Sequence, residues 1–199
     1  MLARSERKVV WLSQIKPASE VAIHTLAWME LDRNEQRGFI NQASLLFPEK
    51  GARLRRPDLI RRAQTGTLHV GFVADGTVVA TAARFSNPVR HIRRTFDLAQ
   101  IETDAHTFRY ELTWFSIRED FASQDLADQL VLSALNGACR LPKFGRKTLY
   151  AELGTAKDDI VSSAMSASWF KPIGVPFLSD SRDEEVQIHF IELDRIQHV

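Results

Sequence analysis

The stretch FRYELTWFSIREDFASQDLADQLVLSALNGACR, from Phe108 to Arg140, determines the fold that we expect for this chain. Its first part, Phe108 to Ile117, predicts a β-strand in which successive side chains point to opposite faces of a sheet. One face then carries Tyr110, Leu112 and Trp114, and the other carries Glu111, Thr113 and Phe115.

The second half of the same stretch predicts an amphipathic α-helix. Apolar residues recur at spacings of three and four, which places them along one side of a helix. These residues are Leu126, Leu130, Val131, Ala134, Leu135 and Ala138. Ser123 is a suitable N-cap, Asp125 suits the positive end of the helix dipole in the first turn, and Pro142 ends the helix.

A second strand, KTLYAEL from Lys147 to Leu153, follows this helix. A strand–helix–strand unit forms a right-handed crossover, so we expect Phe108–Ile117 and Lys147–Leu153 to be parallel neighbours. Two strand-like runs before the unit, Thr67–Ala74 and Thr77–Phe85, meet at Asp75-Gly76. Asp-Gly can take the two positive-φ positions of a type I′ turn, which predicts an antiparallel hairpin.

The remaining segments complete the expected order of elements. Further strands are predicted at Lys8–Ile15 and Glu184–Leu193, and further helices at Pro17–Leu31, Asn34–Phe47, Arg56–Gln64 and Asp158–Ser168. The stretch Ser86–His106 has no clean period and predicts a long loop, of a kind that often covers a site. The expected fold class is α/β, with a mixed β-sheet flanked by helices in a single domain, residues 1–199.

The composition is that of an ordinary globular chain, with 44% hydrophobic and 26% charged residues among 199. No apolar run approaches the roughly 18 residues that a membrane-spanning helix needs, so we expect no span. The basic N-terminus lacks the apolar region of a signal peptide. Cys139 is the only cysteine, which leaves no internal disulfide and suits a cytoplasmic location. The six scattered histidines lack the spacing of a metal site.

Two segments are strongly basic, although the formal net charge is only +1. Lys50–Gly66 carries six Lys or Arg residues and one Asp, and Arg84–Arg94 carries four Arg residues. Such segments suit an acidic protein, a phosphate-bearing cofactor or nucleic acid, and they also occur as plain solvated surface. Nucleic acid is the weakest of these readings, because no base-reading element accompanies the arginines.

The order of elements resembles the GCN5-related N-acetyltransferase (GNAT) superfamily over nearly the whole chain. The segment DFASQDLADQLV, from Asp120 to Val131, is similar to the acyl-CoA loop and helix of that superfamily, written Q/R-x-x-G-x-G/A. Ala122, Asp125 and Ala127 stand at its three defined places. The resemblance implies a GNAT-like sheet whose central parallel pair splays around the strand–helix–strand unit, with an acyl thioester bound in the gap.

A second segment, SASWFKPIGVPF from Ser166 to Phe177, is similar to the family's late helix and Tyr-x-x-x-Gly-Phe segment. Phe170 stands at the Tyr place and Gly174 keeps the Gly. The family's tyrosine often donates a proton to the leaving thiolate, and Phe170 has no hydroxyl with which to do so.

The central strand resembles one branch of the superfamily more closely. RYELTWFSI is similar to the Glu-x-Ser/Thr-Arg-Phe strand of acyl-homoserine-lactone synthases and long-chain N-acyl amino acid synthases, with Trp114 in place of the Arg. Those enzymes take acyl groups from acyl carrier protein or acyl-CoA, and their glycine loop is also degenerate. The resemblance implies an acyl-CoA or acyl carrier protein donor, and the basic segment Arg53–Arg62 would meet such a carrier protein.

The resemblance also supplies candidate site residues. Glu111 is the candidate general base for an amine acceptor, and the alternative is a strand carboxylate paired with the cross-strand Arg84. The strand end would hold the donor's pantetheine through backbone bonds, and the loop and helix would face its phosphates. The candidate donor-binding residues are Ser116, Ile117, Arg118, Ala122, Ser123, Gln124, Asp125, Leu126 and Ala127.

Two functions stay open at this point. Glycines in the family's loop let the backbone approach the pyrophosphate at a helix N-terminus, whereas Asp125 places a carboxylate there. Glu111 and the strand–helix–strand unit favour an N-acyltransferase. Asp125, Ala122 and Phe170 favour a non-catalytic binding protein of the same fold.

Overall fold

A computed structural model describes residues 21–46, 60, 66–73, 75–104, 107–108, 110–139, 148–155, 159–179 and 184–192. The strands are β1 (Ala22–Ala27), β2 (Gly66–Phe72), β3 (Val78–Ser86), β4 (Tyr110–Ile117), β5 (Thr148–Gly154), β6 (Lys171–Leu178) and β7 (Glu185–Glu192). The α-helices are α1 (Arg33–Leu46), α2 (Val89–Leu98), α3 (Gln124–Cys139) and α4 (Ile160–Ala167). No helix in these ranges is long and apolar enough to cross a membrane.

The strands form one mixed sheet in the order β1-β2-β3-β4-β5-β7-β6. The predicted parallel neighbours are confirmed, but their pairing covers only two rungs, Tyr110 with Leu149 and Glu111 with Tyr150. Both strands continue beyond these rungs, β4 along β3 and β5 along β7. A gap therefore opens between the two central strands towards their carboxyl ends.

Strand β4 contains a β-bulge at Trp114, whose φ is +56°. Between two matched rungs, β3 advances from Thr81 to Ala83 while β4 spans one residue more, from Thr113 to Ser116. The hydroxyl of Thr81 donates to the Trp114 carbonyl at 3.0 Å. An extra residue on one strand bends that strand and changes which way the following side chains point.

This bulge overturns the simple alternation expected for the strand. Trp114 packs edge-on against Phe85, with 4.7 Å between ring centroids, in the cluster beneath α1. Phe115 instead packs with Leu112 in the cluster beneath α3. The expected faces were therefore wrong for Trp114 and Phe115, because a strict period of two assumes that each residue has a partner on the neighbouring strand.

Helices cover both faces of the sheet. Helices α3 and α4 pack on one face, in a cluster that includes Leu112, Leu130 and Leu149. The other face carries two separate clusters, one beneath α1 and one in which Ile92 and Phe96 of α2 contact Tyr150. The side chain of Glu111 lies on this second face, at the edge of α2.

The expected helix Pro17–Leu31 was wrong within the described residues. Residues 22–27 form β1, which pairs with β2 along its full length, and Trp28–Glu30 form a single 3₁₀ turn. Val21 and Ile23 pack towards α3, whereas Leu26 and Trp28 pack towards α1. This alternation has the period of a strand, and pairing with β2 prevails over a sequence that could also form a helix.

Two further elements were not expected. The predicted loop Ser86–His106 contains α2, which begins after Pro88 and buries Ile92 and Phe96. Its exposed arginines obscure the apolar spacing. Strand β6 contains Pro172 and Pro176, which are unusual in a strand. It lies at the edge of the sheet and pairs only with β7, so a missing backbone N–H is tolerated there.

The other predicted elements within the described residues are confirmed, including α1, the β2–β3 hairpin, α3, β5, α4 and β7. The hairpin turn differs from a type I′ turn at Asp75-Gly76, because Gly76 N donates to Val73 O at 2.9 Å, which makes Gly76 the last residue of the turn, with a φ of +81°. The predicted strand Lys8–Ile15 lies outside the described residues. The predicted helix Arg56–Gln64 and the basic segment Arg53–Arg62 do so too, except for Ile60, which is helical.

His69 on β2 is a fully buried titratable group beneath α3. Its Nδ1 lies 3.1 Å from the Thr25 hydroxyl and 3.2 Å from the Ser133 hydroxyl. Burial, and secondarily the positive charge of Arg84, lower the pKa of His69 from 6.5 to about 4. The neutral imidazole is therefore the form that the fold accommodates.

We expect His69 to make the fold sensitive to acid. Its pKa is lower in the folded than in the unfolded chain, so its contribution is fully present above pH 6.5 and is lost as the pH falls towards about 4. The difference corresponds to roughly 3 kcal/mol of unfolding free energy. Urea unfolding at pH 7 and at pH 4.5 should show a smaller acid-induced loss in His69→Gln than in the wild type. Equal losses would contradict this role.

Candidate functional site

Glu111 lies at the point where the two central strands separate. It belongs to the last paired rung, opposite Tyr150, and is only 3% exposed. Asn87 donates from Nδ2 to its Oε2, the Tyr150 hydroxyl lies 3.5 Å from the same oxygen, and His91 Nε2 lies 3.9 Å away. Among the described residues, these contacts all converge on Oε2.

Arg84, the alternative partner of Glu111, lies on the opposite face of the sheet. Its register partner on β4 is Leu112. Its Nη2 donates to the Thr67 hydroxyl at 2.9 Å, and its guanidinium lies 5.8 Å from the ring centroid of Tyr110. The buried carboxylate is therefore held by an amide, a hydroxyl and the edge of a partly exposed histidine.

The end of β4 presents backbone groups to the gap. Arg118 N donates to Val79 O at 2.8 Å, so Arg118 bonds towards β3. Backbone groups alternate in direction along a strand, so the N–H and C=O of Ile117 point away from β3, towards the gap. The hydroxyl of Ser116 is already used, because it donates to Leu46 O at the end of α1 at 3.1 Å.

The loop between β4 and α3 brings the other predicted donor-binding residues to the same end of the sheet. Ala122, Ser123, Gln124 and Asp125 are exposed. The side chains of Leu126 and Ala127 are buried in the core, so only their backbone could face a ligand. The guanidinium of Arg118 makes a bidentate hydrogen bond to the Asp120 carboxylate in this loop, at 2.7 and 3.0 Å.

The N-terminus of α3 is capped by its own side chains. Ser123 Oγ accepts from Leu126 N at 3.2 Å, which confirms the predicted N-cap. Asp125 Oδ2 accepts from Gln129 at 2.8 Å, and Gln124 donates to Asp128 at 2.8 Å. The amides of Gln124 and Asp125 have no intrahelical acceptor, as at the start of any α-helix. They are the groups at this end that can still meet an anion.

Phe170 is core rather than part of a surface site. It is 4% exposed and packs with Met165 in the cluster beneath α3 and α4. A cavity of about 660 Å³, lined in part by Trp169, Phe170 and Glu192, lies next to it. Glu192 pairs with Thr148 at the start of β5, so this cavity lies at the end of the sheet away from the gap.

Three residues near Glu111 were not among the predicted site residues: Asn87, His91 and Tyr150. For Tyr150, the sequence offered only its position on one face of the predicted strand Lys147–Leu153, which is weak evidence for a site residue. Asn87 and His91 belong to the stretch that was expected to be a loop. Pro88 and the spacing of Ile92 and Phe96 were the available signals of a helix there.

Comparison with solved structures shows that the sheet and its helices have a known fold. An N-acyl amino acid synthase from uncultured soil microbes, FeeM, matches with a TM-score of 0.63 and 10% identity, over 88% of this chain and 91% of that one. An acyl-CoA N-acyltransferase from Pseudomonas aeruginosa matches with a TM-score of 0.61 and 15% identity, over 86% and 99%. The chain has the GNAT fold.

A third match to the GNAT fold is a CoA-dependent acyl-homoserine lactone synthase, MesI, with a TM-score of 0.58 and 18% identity, over 86% of this chain and 89% of that one. The resemblance seen in the sequence is thus confirmed at the level of the fold. No family model and no curated protein sequence matches the chain.

The cap of α3 leads to a prediction about stability. Ser123→Ala removes the acceptor of the Leu126 amide and should lower the unfolding free energy by about 1 kcal/mol. Ser123→Gly should lower it by only a few tenths of that amount, since glycine is itself tolerated at an N-cap. Urea denaturation of both variants tests this order. A loss from Ser123→Gly as large as that from Ser123→Ala would contradict the cap.

Proposed function

We propose that this protein is an N-acyltransferase, one domain over residues 1–199, acting in the cytoplasm. It moves an acyl group from an acyl thioester to an amine acceptor by direct attack. The observation that carries the proposal is the gap between β4 and β5, with the Glu111 carboxylate at its closed end and the Ile117 backbone along its side. The GNAT fold, shared with an N-acyl amino acid synthase and an acyl-CoA N-acyltransferase, supports it.

The donor in this proposal lies in the gap. Its pantetheine arm adds to the edge of β4 that faces the gap through the backbone of Ile117, while the flanking Ser116 and Arg118 bond towards β3, and the Ile117 amide polarises the thioester carbonyl. Its phosphates meet the N-terminus of α3, where the dipole favours an anion. The donor is acyl-CoA or acyl carrier protein, and the latter would contact the basic segment Arg53–Arg62.

The chemistry requires one base and no covalent intermediate. Glu111 takes a proton from the acceptor's ammonium group, and the neutral amine attacks the thioester carbonyl carbon. A C–N bond forms, the nitrogen of the tetrahedral intermediate gives its remaining surplus proton to solvent water, and the C–S bond breaks as the intermediate collapses and expels the thiolate. Phe170, which stands at the family's tyrosine place, has no hydroxyl and lies beside the cavity at the other end of the sheet, so no side-chain acid is assigned and the thiolate leaves as the anion and takes its proton from water.

Glu111→Gln tests the base because it keeps the shape of the side chain and removes its charge. We expect kcat to fall by about 10²–10⁴-fold, the usual cost of losing a general base. Donor affinity should change little. The assay measures free thiol released from acetyl-CoA and decanoyl-CoA with amino acids and spermidine as acceptors. Glu30→Gln, an exposed change on the 3₁₀ turn, is the control.

Full activity in Glu111→Gln would remove Glu111 from the mechanism. A loss of activity that is matched by Glu30→Gln would point to a general effect of charge instead. Retained binding of CoA by the Gln variant, measured by calorimetry, separates a lost base from a lost donor site.

A non-catalytic binding protein is the second candidate function. The observation that favours it is the state of the α3 N-terminus, where Ser123 occupies the Leu126 amide and Asp125 adds a negative charge. In that case the wild type would bind CoA or an acyl-CoA, or neither, without turnover of any acceptor in the panel.

Asp125→Gly should tighten CoA binding if the phosphates meet this helix end. The change removes a repelling charge and lets the backbone approach the anion. The charge is worth about 1 kcal/mol at a partly exposed helix end, or roughly a fivefold change in Kd. Calorimetry with CoA measures it, with Asp97→Asn on the exposed side of α2 as the matched control. An unchanged Kd would place the phosphates elsewhere.

A further inference from the structure

Asn87 links the Glu111 carboxylate to the Tyr150 hydroxyl. Its Nδ2 donates to Glu111 Oε2 and lies 2.9 Å from the Tyr150 hydroxyl. An amide nitrogen carries two hydrogens, so both bonds can exist together. Tyr150 can then use its own hydrogen towards Glu111 Oε2, at 3.5 Å. The three side chains form a closed triangle around one carboxylate oxygen.

The backbone gives Asn87 little freedom to leave this triangle. It lies between Ser86, which ends β3 in register with Tyr110, and Pro88, the N-cap of α2. A residue before proline is restricted to extended conformations, so both neighbours constrain the Asn87 backbone. The side chain is therefore aimed at Glu111 by the β3–β4 register and by the start of α2.

The hydrogen bond from Asn87 is important because the Glu111 carboxylate is buried. A buried carboxylate must have hydrogen bonds or a counter-charge to remain ionised. In the described part of the chain, Glu111 has His91 as its one ion-pair partner, and that pair exists only when His91 is protonated. The amide of Asn87 does not titrate, so its N–H donor does not depend on pH. Its bond also fixes which carboxylate oxygen is occupied, and none of the contacts described above involves Oε1.

We propose that Asn87 is the positioning residue of the Glu111 base. It holds the carboxylate through Oε2 so that Oε1 faces the acceptor, and it touches neither substrate. This inference rests on the proposed acyltransferase function and adds a residue to it. Loss of Asn87 should therefore lower kcat through Glu111 and leave the donor site intact.

Two substitutions separate hydrogen bonding from shape. Asn87→Ala removes the donor and should lower kcat by about 10- to 100-fold, as expected for a hydrogen bond to a charged group. Asn87→Asp keeps the shape but replaces the donor by an acceptor, so it should be at least as impaired. Ser86→Ala, the preceding exposed residue, is the control and should retain wild-type kcat.

A double-mutant cycle tests whether Asn87 acts through Glu111. In the Glu111→Gln background, Asn87→Ala should cause no further loss of kcat, because the group that it positions is already gone. Tyr150→Phe removes the other donor and should cause a smaller loss than Asn87→Ala. Calorimetry with CoA should give the wild-type Kd for each variant, which shows that the donor site is still folded.

The assay is thiol release from acetyl-CoA and decanoyl-CoA with amino acids and spermidine. Wild-type activity in Asn87→Asp, or a loss from Asn87→Ala that persists in the Glu111→Gln background, would overturn the positioning role and leave the proposed function standing. Absence of turnover by the wild type with every donor and acceptor would instead refute the proposed function and this inference with it.

Discussion

Backbone pairing between β4 and β5 stops after two rungs, and the rest of the candidate site depends on that limit. Each strand continues along its other neighbour, so the sheet stays intact while the two central strands part. The bulge at Trp114 falls just beyond the last rung, and a bulged strand bends. The unpaired edge of β4 leaves N–H and C=O groups that need partners, which a ligand's amides can provide.

The two ends of this gap have different chemistry. The closed end holds Glu111, buried and hydrogen-bonded, on the face covered by α2. The open end holds the start of α3, which satisfies one of its own amides through Ser123 and carries Asp125 in its first turn. In the proposed function the closed end supplies a hydrogen-bonded base, whereas the open end, with no glycine from Ala122 to Ala127, gives the donor's phosphates less close access to the backbone. Because of this contrast, the donor that we propose is either one that binds this helix end weakly or one other than CoA.

Helix α2, which was not expected, is as important to the site as the expected helix α3. It follows directly from β3, packs Ile92 and Phe96 against the sheet, and brings Asn87 and His91 to Glu111. Its signal was hidden because the same segment is rich in arginine on its exposed side. Val89, Ile92 and Phe96 do have helical spacing, but a run of ten residues is too short to be a stable helix alone, and burial against the sheet decides its conformation.

The sequence by itself determined the strand–helix–strand unit, the hairpin at Gly76 and the cap at Ser123, because each depends on local propensity or on side chains close together in the chain. Glu111 became the candidate base only through the resemblance of its strand to a known family. The sequence did not determine β1, which needed β2 as a partner, or β6, which is possible only at a sheet edge. The tertiary structure alone decided the length of the β4–β5 pairing, the bulge and the meeting of Asn87, Tyr150 and Glu111. Those features join residues up to 63 positions apart, and only packing brings such residues together.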